Sequence, residues 1–320
     1  MMQLTMSSSP HVHTRESISS IMLDVLIALM PAALAGIYFF GYRASLVLLT
    51  AVAACLLSEY AYEKIMKKPV TVRDLSAVVT GVLLGLNMPP SVPLWMVVAG
   101  SAFAMILVKQ LYGGLGKNFM NPALAARCFM LIAWPSAMTT FHEAKGSLDA
   151  VSSATPLAVL KGISEGALPS LSDSLIGRTA GCIGETSAVL LLLGFLYLLI
   201  RKVVRIRIPA AMLGSFAVLT YFFGNNTTEY SQSVFTLMHL LNGGLLLGAF
   251  FMATDYVTTP TTREGQIVFG LGCGILTFVI RRFGGYPEGT SFAILLMNVA
   301  APLIESAFIP KTFGEVKKNA

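Results

Sequence analysis

Long apolar stretches follow one another along this 320-residue chain with only brief polar interruptions. A helix that crosses a bilayer needs about 20 mostly apolar residues. Ten windows of that kind can be read, roughly 20–40, 43–62, 72–88, 94–112, 118–138, 186–203, 208–224, 235–252, 266–283 and 289–309. The third and fifth are the weakest, because Asn87, Asn121 and Pro122 interrupt or end them. The pattern predicts an all-α integral membrane protein with about ten transmembrane helices.

Ten spans leave both termini on one side. If that side is the cytoplasm, 16 of the Lys and Arg residues count as inside, Arg127 among them although it falls within the weak fifth window, and six lie outside, with the Arg281–Arg282 pair as the main dissent. That bias fits the positive-inside rule. The two halves also echo each other. "GVLLG" (81–85) returns as "GLLLG" (244–248), "MILVKQLYGG" (105–114) as "LTFVIRRFGG" (276–285), and "GKNF" (116–119) as "GTSF" (289–292). Five spans per half is an odd number, so the second copy is expected upside down, and inverted repeats frame a site near the midplane with broken or short helices. The plainer reading is close packing of Gly-rich spans. The expected organisation is a cytoplasmic tail (1–19), a first five-helix repeat (20–138), an extracytoplasmic loop (139–185), a second five-helix repeat (186–310) and a cytoplasmic tail (311–320).

Composition narrows the class. Hydrophobic residues make up 55% of the chain and charged ones 12%, against about 25% charged in a soluble domain. The net charge of +6 therefore reports topology, and no aromatic-interleaved basic groove indicates nucleic acid. Cys55, Cys128, Cys182 and Cys273 are far apart, without metal-site spacing. No GxGxxG follows a strand, and the polar start of the chain does not read as a cleaved signal peptide.

The loop at 139–185 is far longer than any other connection, and loops beyond about 12–15 residues are usually functional or disordered. Its apolar positions and the run "PLAVLKGI" predict an ordered segment laid on the outer surface. Within it, "DAVSSAT" sets Asp149 six residues before Thr155, with small residues between and Pro156 directly after. Proline pushes Thr155 toward extended geometry. A plain structural role is an N-cap with Pro156 at the first helical position.

"DAVSSAT" also resembles the recognition signature for covalent flavin transfer, an Asp followed by a Ser/Thr–Gly–Ala–Thr stretch, with Ser153 where the signature usually has Gly. Four further stretches, "KQLYGGLGKNFMNPALAARCF" (109–129), "GETSAVLLLLG" (184–194), "ATDYVTTPTTREGQIVFG" (253–270) and "GGYPEGTSFAILLMN" (284–298), resemble the RnfD family, the D subunits of Rnf complexes. They are more distantly similar to the B subunit of the sodium-translocating NADH:quinone reductase. The resemblance covers residues 20 to 310. It implies an electron-transfer subunit, incomplete as an enzyme alone, in a bacterial or archaeal cytoplasmic-membrane complex that couples electron flow between ferredoxin and NAD to pumping of H+ or Na+.

The resemblance also implies FMN joined to Thr155 through a phosphoester, and leaves open a second, non-covalent flavin. Ser152, Ser153 and Ala154 would let the backbone approach the phosphate, and Asp149 would serve recognition by a flavin transferase. Glu185 and Thr186 open the sixth span and are candidate neighbours of the flavin, since helix N-termini favour anionic groups. The implied partners are an outside-facing flavin subunit, a soluble NADH-side subunit and membrane subunits holding an iron–sulfur centre, with lipid around them.

Acidic residues inside spans are costly and are functional candidates by default. Asp24, Glu59, Asp255 and Glu305 are thus candidates for an ion path, with capping or snorkelling as the alternative role. His239, alone on an apolar span, reads as a packed or hydrogen-bonded residue. The motif "NPA" (121–123) suits a water channel, but the second half has "ILLMN" in its place. Two other readings remain at this point: a channel or secondary transporter on the same scaffold, and a passive membrane anchor for soluble partners.

Overall fold

The computed structural model describes residues 17–141, 155–164, 168–185, 187–226, 228 and 230–309. Asp149, Ser152, Ser153, Ala154 and Thr186 lie outside these described residues. All regular structure among them is helical.

The chain opens with two long helices, α1 (Ile18–Phe40) and α2 (Tyr42–Ile65), separated by Gly41 alone. Gly41 has φ 73°, a left-handed backbone that a residue with a Cβ resists. At the start of α1, Ser17 and Ser20 form a reciprocal capping box. A short α3 (Ser76–Leu86) follows, then α4 (Leu94–Ala102), which continues as π turns over Phe103–Gln110. The first half closes with α5 (Pro122–Ala133) and α6 (Pro135–Thr139). In the connection lie α7 (Pro156–Leu160), α8 (Leu171–Ile176) and a 3-10 turn at Ile183–Glu185. The second half holds α9 (Ala188–Ile200), α10 (Arg207–Phe223), α11 (Gln232–Leu241), α12 (Leu245–Leu247) with π turns over Gly248–Met252, α13 (Arg263–Phe283) and α14 (Thr290–Ala307).

Every one of the ten apolar windows contains a helix, but among the described residues four helices (α1, α2, α13 and α14) are long and apolar enough to cross a membrane alone. A fifth span results if α11 and α12 count together across their 62° bend. The bend falls at Gly243 and Gly244, both with positive φ. α3 has 11 residues, about 16 Å of helix and half a bilayer. Asn87 stands at its C-cap. Asn121 begins α5 by accepting the backbone N–H groups of Ala123 (3.0 Å) and Leu124 (3.3 Å). The residues that weaken these windows in the sequence are thus the ones that end the helices. Large apolar side chains such as Leu49, Ile200 and Phe222 stand exposed on the outer faces, as a lipid-facing surface requires, and the chain is a multi-pass membrane protein.

Glycines set the closest crossings. Gly270 and Gly274 of α13 lie one turn apart against α10, where a Cβ on Gly274 would come within 2.4 Å of the Met212 carbonyl oxygen. Gly81 and Gly85 of α3 lie in the same way on Val52 and Leu48 of α2. These are small-residue contacts of the kind that replace hydrophobic driving force within lipid. Gly274→Leu is expected to separate α10 from α13 and cost about 2–3 kcal/mol or more, as overpacking does; the thermal midpoint of the detergent-solubilised protein measures it.

The connecting segment departs from the expected surface layer. Its last part turns inward: Ile183 is 0% exposed and donates its N–H to the Met88 carbonyl (3.0 Å). Gly184 sits where a Cβ would strike Leu86 and Leu247. Ile183 is fully apolar and Gly184 has no side chain, so this turn can plug the space above the ends of α3 and α12.

Candidate functional site

Three groups of polar residues stand out in the interior among the described residues. The first is centred on Arg127 of α5. Its guanidinium donates to Asn87 Oδ1 (2.8 Å), Ser291 Oγ (3.2 Å) and Cys182 Sγ (3.6 Å), and pairs with Glu288. Glu185 Oε1 lies 3.7 Å away. One buried cation thus faces two carboxylates, contributed by the inward turn and by the segment just before α14. The ligand atoms of Cys182, Glu185 and Glu288 lie within 4.8 Å of one another. Arg127 already occupies the position that a cation among them would take, so the set reads as an ion-pair cluster. Beneath it, Asn87 reaches Met252 Sδ (3.4 Å). Asn298 accepts the Asn121 N–H (3.1 Å) once its amide oxygen is turned toward it. The ends of α3, α5, α12 and the body of α14 therefore meet at one polar knot.

The second group joins α2 to α4. Lys109 donates to Glu59 Oε1 and to Ser76 Oγ, both at 2.6 Å. Gln110 donates to Glu59 (2.9 Å) and Glu63 (3.3 Å). Glu59 is 0% exposed. Adjacent residues on an α-helix point about 100° apart; here Lys109 and Gln110 reach the same carboxylate from the π turns, a distortion frequent at functional sites. Lys109 also lines a half-open, mostly apolar cleft whose polar residues include Ser76, Thr80, Asn118, Asn121 and Asp255. Asp255 accepts from Val257 N–H and the Thr258 hydroxyl, each at 3.4 Å. The cleft thus has Lys109, the partner of Glu59, and Asp255 in its wall and runs to Asn121 of the polar knot.

Two of the expected ion-path residues lie elsewhere. Asp24 accepts from Tyr197 (2.8 Å) and pairs with Arg201 (3.1 Å), while Glu305 accepts from Thr261 (2.5 Å) near the end of α14. Both are bound to side chains of a neighbouring segment and neither lines the cleft.

The third group surrounds Thr155. Its hydroxyl caps α7, accepting the Ala158 N–H (3.3 Å), with Pro156 at the first helical position. The cap predicted from the sequence is therefore present. A phosphoester on Oγ1 would leave a lone pair for that bond, so capping and esterification are compatible. Lys161, just past α7, donates to the carbonyls of Gly284 and Tyr286, and partial burial pulls its amine below the usual lysine value. α7 is thereby fastened to the turn before α14. His239 packs edge-on against Phe235 with ring centroids 4.6 Å apart, but its Nδ1 has no hydrogen-bond partner among the described residues.

Sequence reading singles out acidic residues within spans and passes over the cations. Lys109 and Arg281 look like charges at span ends and Arg127 falls within the weak fifth window, yet all three are buried. The rule that makes an intramembrane carboxylate a candidate applies equally to lysine and arginine and would have found them. Removing these three from the orientation count leaves the inside excess intact. All four cysteines are buried and free.

Short and bent helices that meet at buried charges define a multi-pass membrane protein built around a polar interior. The chain belongs to the NQR2, RnfD, RnfE family, which it matches over residues 5–314. It is 47% identical over 327 aligned positions to the D subunit of the Na(+)-translocating ferredoxin:NAD(+) oxidoreductase complex of Acetobacterium woodii, covering 100% of this chain and 98% of the relative. It is 46% identical to the D subunit of the proton-translocating ferredoxin:NAD(+) oxidoreductase complex of Clostridium ljungdahlii, covering 97% and 96%. The D subunit of the ion-translocating oxidoreductase complex of Halorhodospira halophila is 38% identical, with coverage of 98% and 96%.

Proposed function

We propose that this chain is the RnfD-type membrane subunit of an ion-translocating ferredoxin:NAD oxidoreductase complex and carries FMN as a phosphoester on Thr155. The observation that carries the assignment is end-to-end identity of 47% to a D subunit from a complex of that activity. The flavin rests on the "DAVSSAT" stretch (149–155). When bound, the flavin supplies one- or two-electron transfer, which no side chain here can. Thr155 would hold its phosphate, Ser152, Ser153 and Ala154 would flank it, and Asp149 would be read by the transferase. Other subunits of the complex supply the sites for NAD and ferredoxin.

The scaffold reading is two inverted five-helix repeats with cytoplasmic termini and an extracytoplasmic loop. The pairing of like helices supports it: α1 packs on α9 and α5 on α14, the first and fifth of each half, while α2 packs on α4 as α10 does on α13. A two-fold relation between halves gives such pairs. For the ion, Glu59 and Asp255 are the stronger candidates, because Asp255 lines the cleft and Glu59 holds Lys109, which also lines it, and Asp24 and Glu305 are the weaker ones. The same scaffold suits a transporter, and the flavin separates the two readings. The test is in-gel flavin fluorescence of the denatured protein made in cells with a flavin transferase. Wild type and Thr155→Ser are expected to fluoresce and Thr155→Ala to be dark. A dark wild type would remove the flavin and favour the transporter.

A further inference from the structure

A half-open cavity, walled on one side by the end of α7, lies one short helix away from Thr155. Leu160 and Lys161, at the end of α7, form part of its wall, and Phe216, Phe235 and Phe278 supply aromatic faces. Three of its lining side chains carry buried polar atoms without a hydrogen-bond partner among the described residues: Thr220 Oγ1, His239 Nδ1 and Arg281 Nε. Thr220 is 3% and Arg281 4% exposed. Buried polar groups are nearly always paired, and leaving one unpaired costs about 1–3 kcal/mol. Three orphans converging on one cavity therefore indicate a missing partner.

The chemistry of that partner can be read from the wall. Lys161, Arg281 and Arg282 bring positive charge, and no carboxylate among the described residues lines the cavity. Arg281 is held rigidly: it donates to the carbonyls of His239 (2.6 Å), Asn242 (3.2 Å) and Gly243 (2.9 Å), and its guanidinium lies 5.0 Å from the Phe216 ring centroid. Its free Nε–H is thus a fixed donor. A flat ring with carbonyl oxygens and ring nitrogens satisfies aromatic walls, a donor, a hydroxyl and an imidazole together. Reach agrees: α7 is five residues long, about 7–8 Å, and a ribityl phosphate of roughly seven bonds spans about 8–9 Å at standard bond lengths.

We propose that this cavity, between α7 and the ends of α10, α11 and α13, seats the isoalloxazine ring of the flavin on Thr155, with Thr220, His239 and Arg281 as its hydrogen-bonding partners. The proposal rests on the Thr155 reading and adds to it the residues that tune the ring. Hydrogen bonds to ring atoms are the protein's main lever on a flavin's electronics, so these side chains position and tune the carrier.

The experiment uses the full-length protein, purified in detergent from cells with a flavin transferase, as wild type, Thr220→Val and His239→Phe. Flavin fluorescence in a denaturing gel reports attachment; iodide quenching and the visible spectrum of the native protein report the seat. Expected are flavin in all three gels, native wild-type quenching severalfold weaker than after denaturation, and a shifted flavin absorption band in both variants. Native wild-type quenching as strong as in the denatured chain, or variant spectra that superpose on wild type, overturns the seat and leaves the ester standing. A wild type without flavin in the gel overturns both. The wild-type quenching decides the matter even where a variant fails to fold.

Discussion

Arg127→Leu is expected to lower stability by about 3–5 kcal/mol, because removing one partner of a buried ion pair strands the other. Two carboxylates, Glu185 and Glu288, face this one guanidinium, and Asn87, Ser291 and Cys182 lose a donor at the same time. Four elements meet there, so the loss should spread to the contact between α5 and α14 and to the seating of the Ile183–Glu185 turn. The thermal midpoint of the solubilised protein should fall sharply. Glu288→Gln added to Arg127→Leu should recover part of the loss by removing one stranded charge. Retention of the wild-type midpoint in Arg127→Leu would show that the cluster is not what joins these helices.

The second large effect is expected at Lys109. Lys109→Met leaves Glu59 fully buried with only the Gln110 amide for a partner, and should cost a similar 3–5 kcal/mol or about that. Replacing both residues, as Glu59→Gln with Lys109→Met, should restore most of the stability, since a neutral pair carries no stranded charge. Coupling between contacting residues commonly reaches about 0.5–3 kcal/mol, and thermal unfolding of the four-member mutant cycle measures it. Ion-coupled activity in the complex separates two roles for the pair. If Glu59 serves the ion path, the double variant should be stable and uncoupled. If the pair only joins α2 to α4, the stable double variant should pump normally.

Much of this architecture was legible in the sequence because membrane spans depend on a long-range average of hydropathy. Asn87 and Asn121 marked where α3 and α5 stop and start, since an amide that bonds to its own backbone bounds a helix. Gly243 and Gly244 mark the bend between α11 and α12 through the left-handed backbone they adopt. The cap at Thr155 followed from proline after a hydroxyl. What stayed hidden depends on pairing between distant segments. Lys109 looked like a flanking charge and Arg127 like a stray charge in a weak window until α2, the Ile183–Glu185 turn and the residues just before α14 brought carboxylates to them. The inward course of Ile183 and Gly184 depends on a gap between α3 and α12 that no local pattern announces. The π turns that aim both Lys109 and Gln110 at Glu59 leave no composition signal either.

The ester at Thr155 is the claim on which the electron-transfer reading turns, and the intact mass of the denatured protein tests it most directly. The protein should be heavier than its sequence by one FMN less one water, with the increment confined to a proteolytic fragment containing Thr155 and absent from Thr155→Ala. Protein from transferase-containing cells that shows the plain sequence mass would contradict the account and leave Thr155 as a helix cap alone.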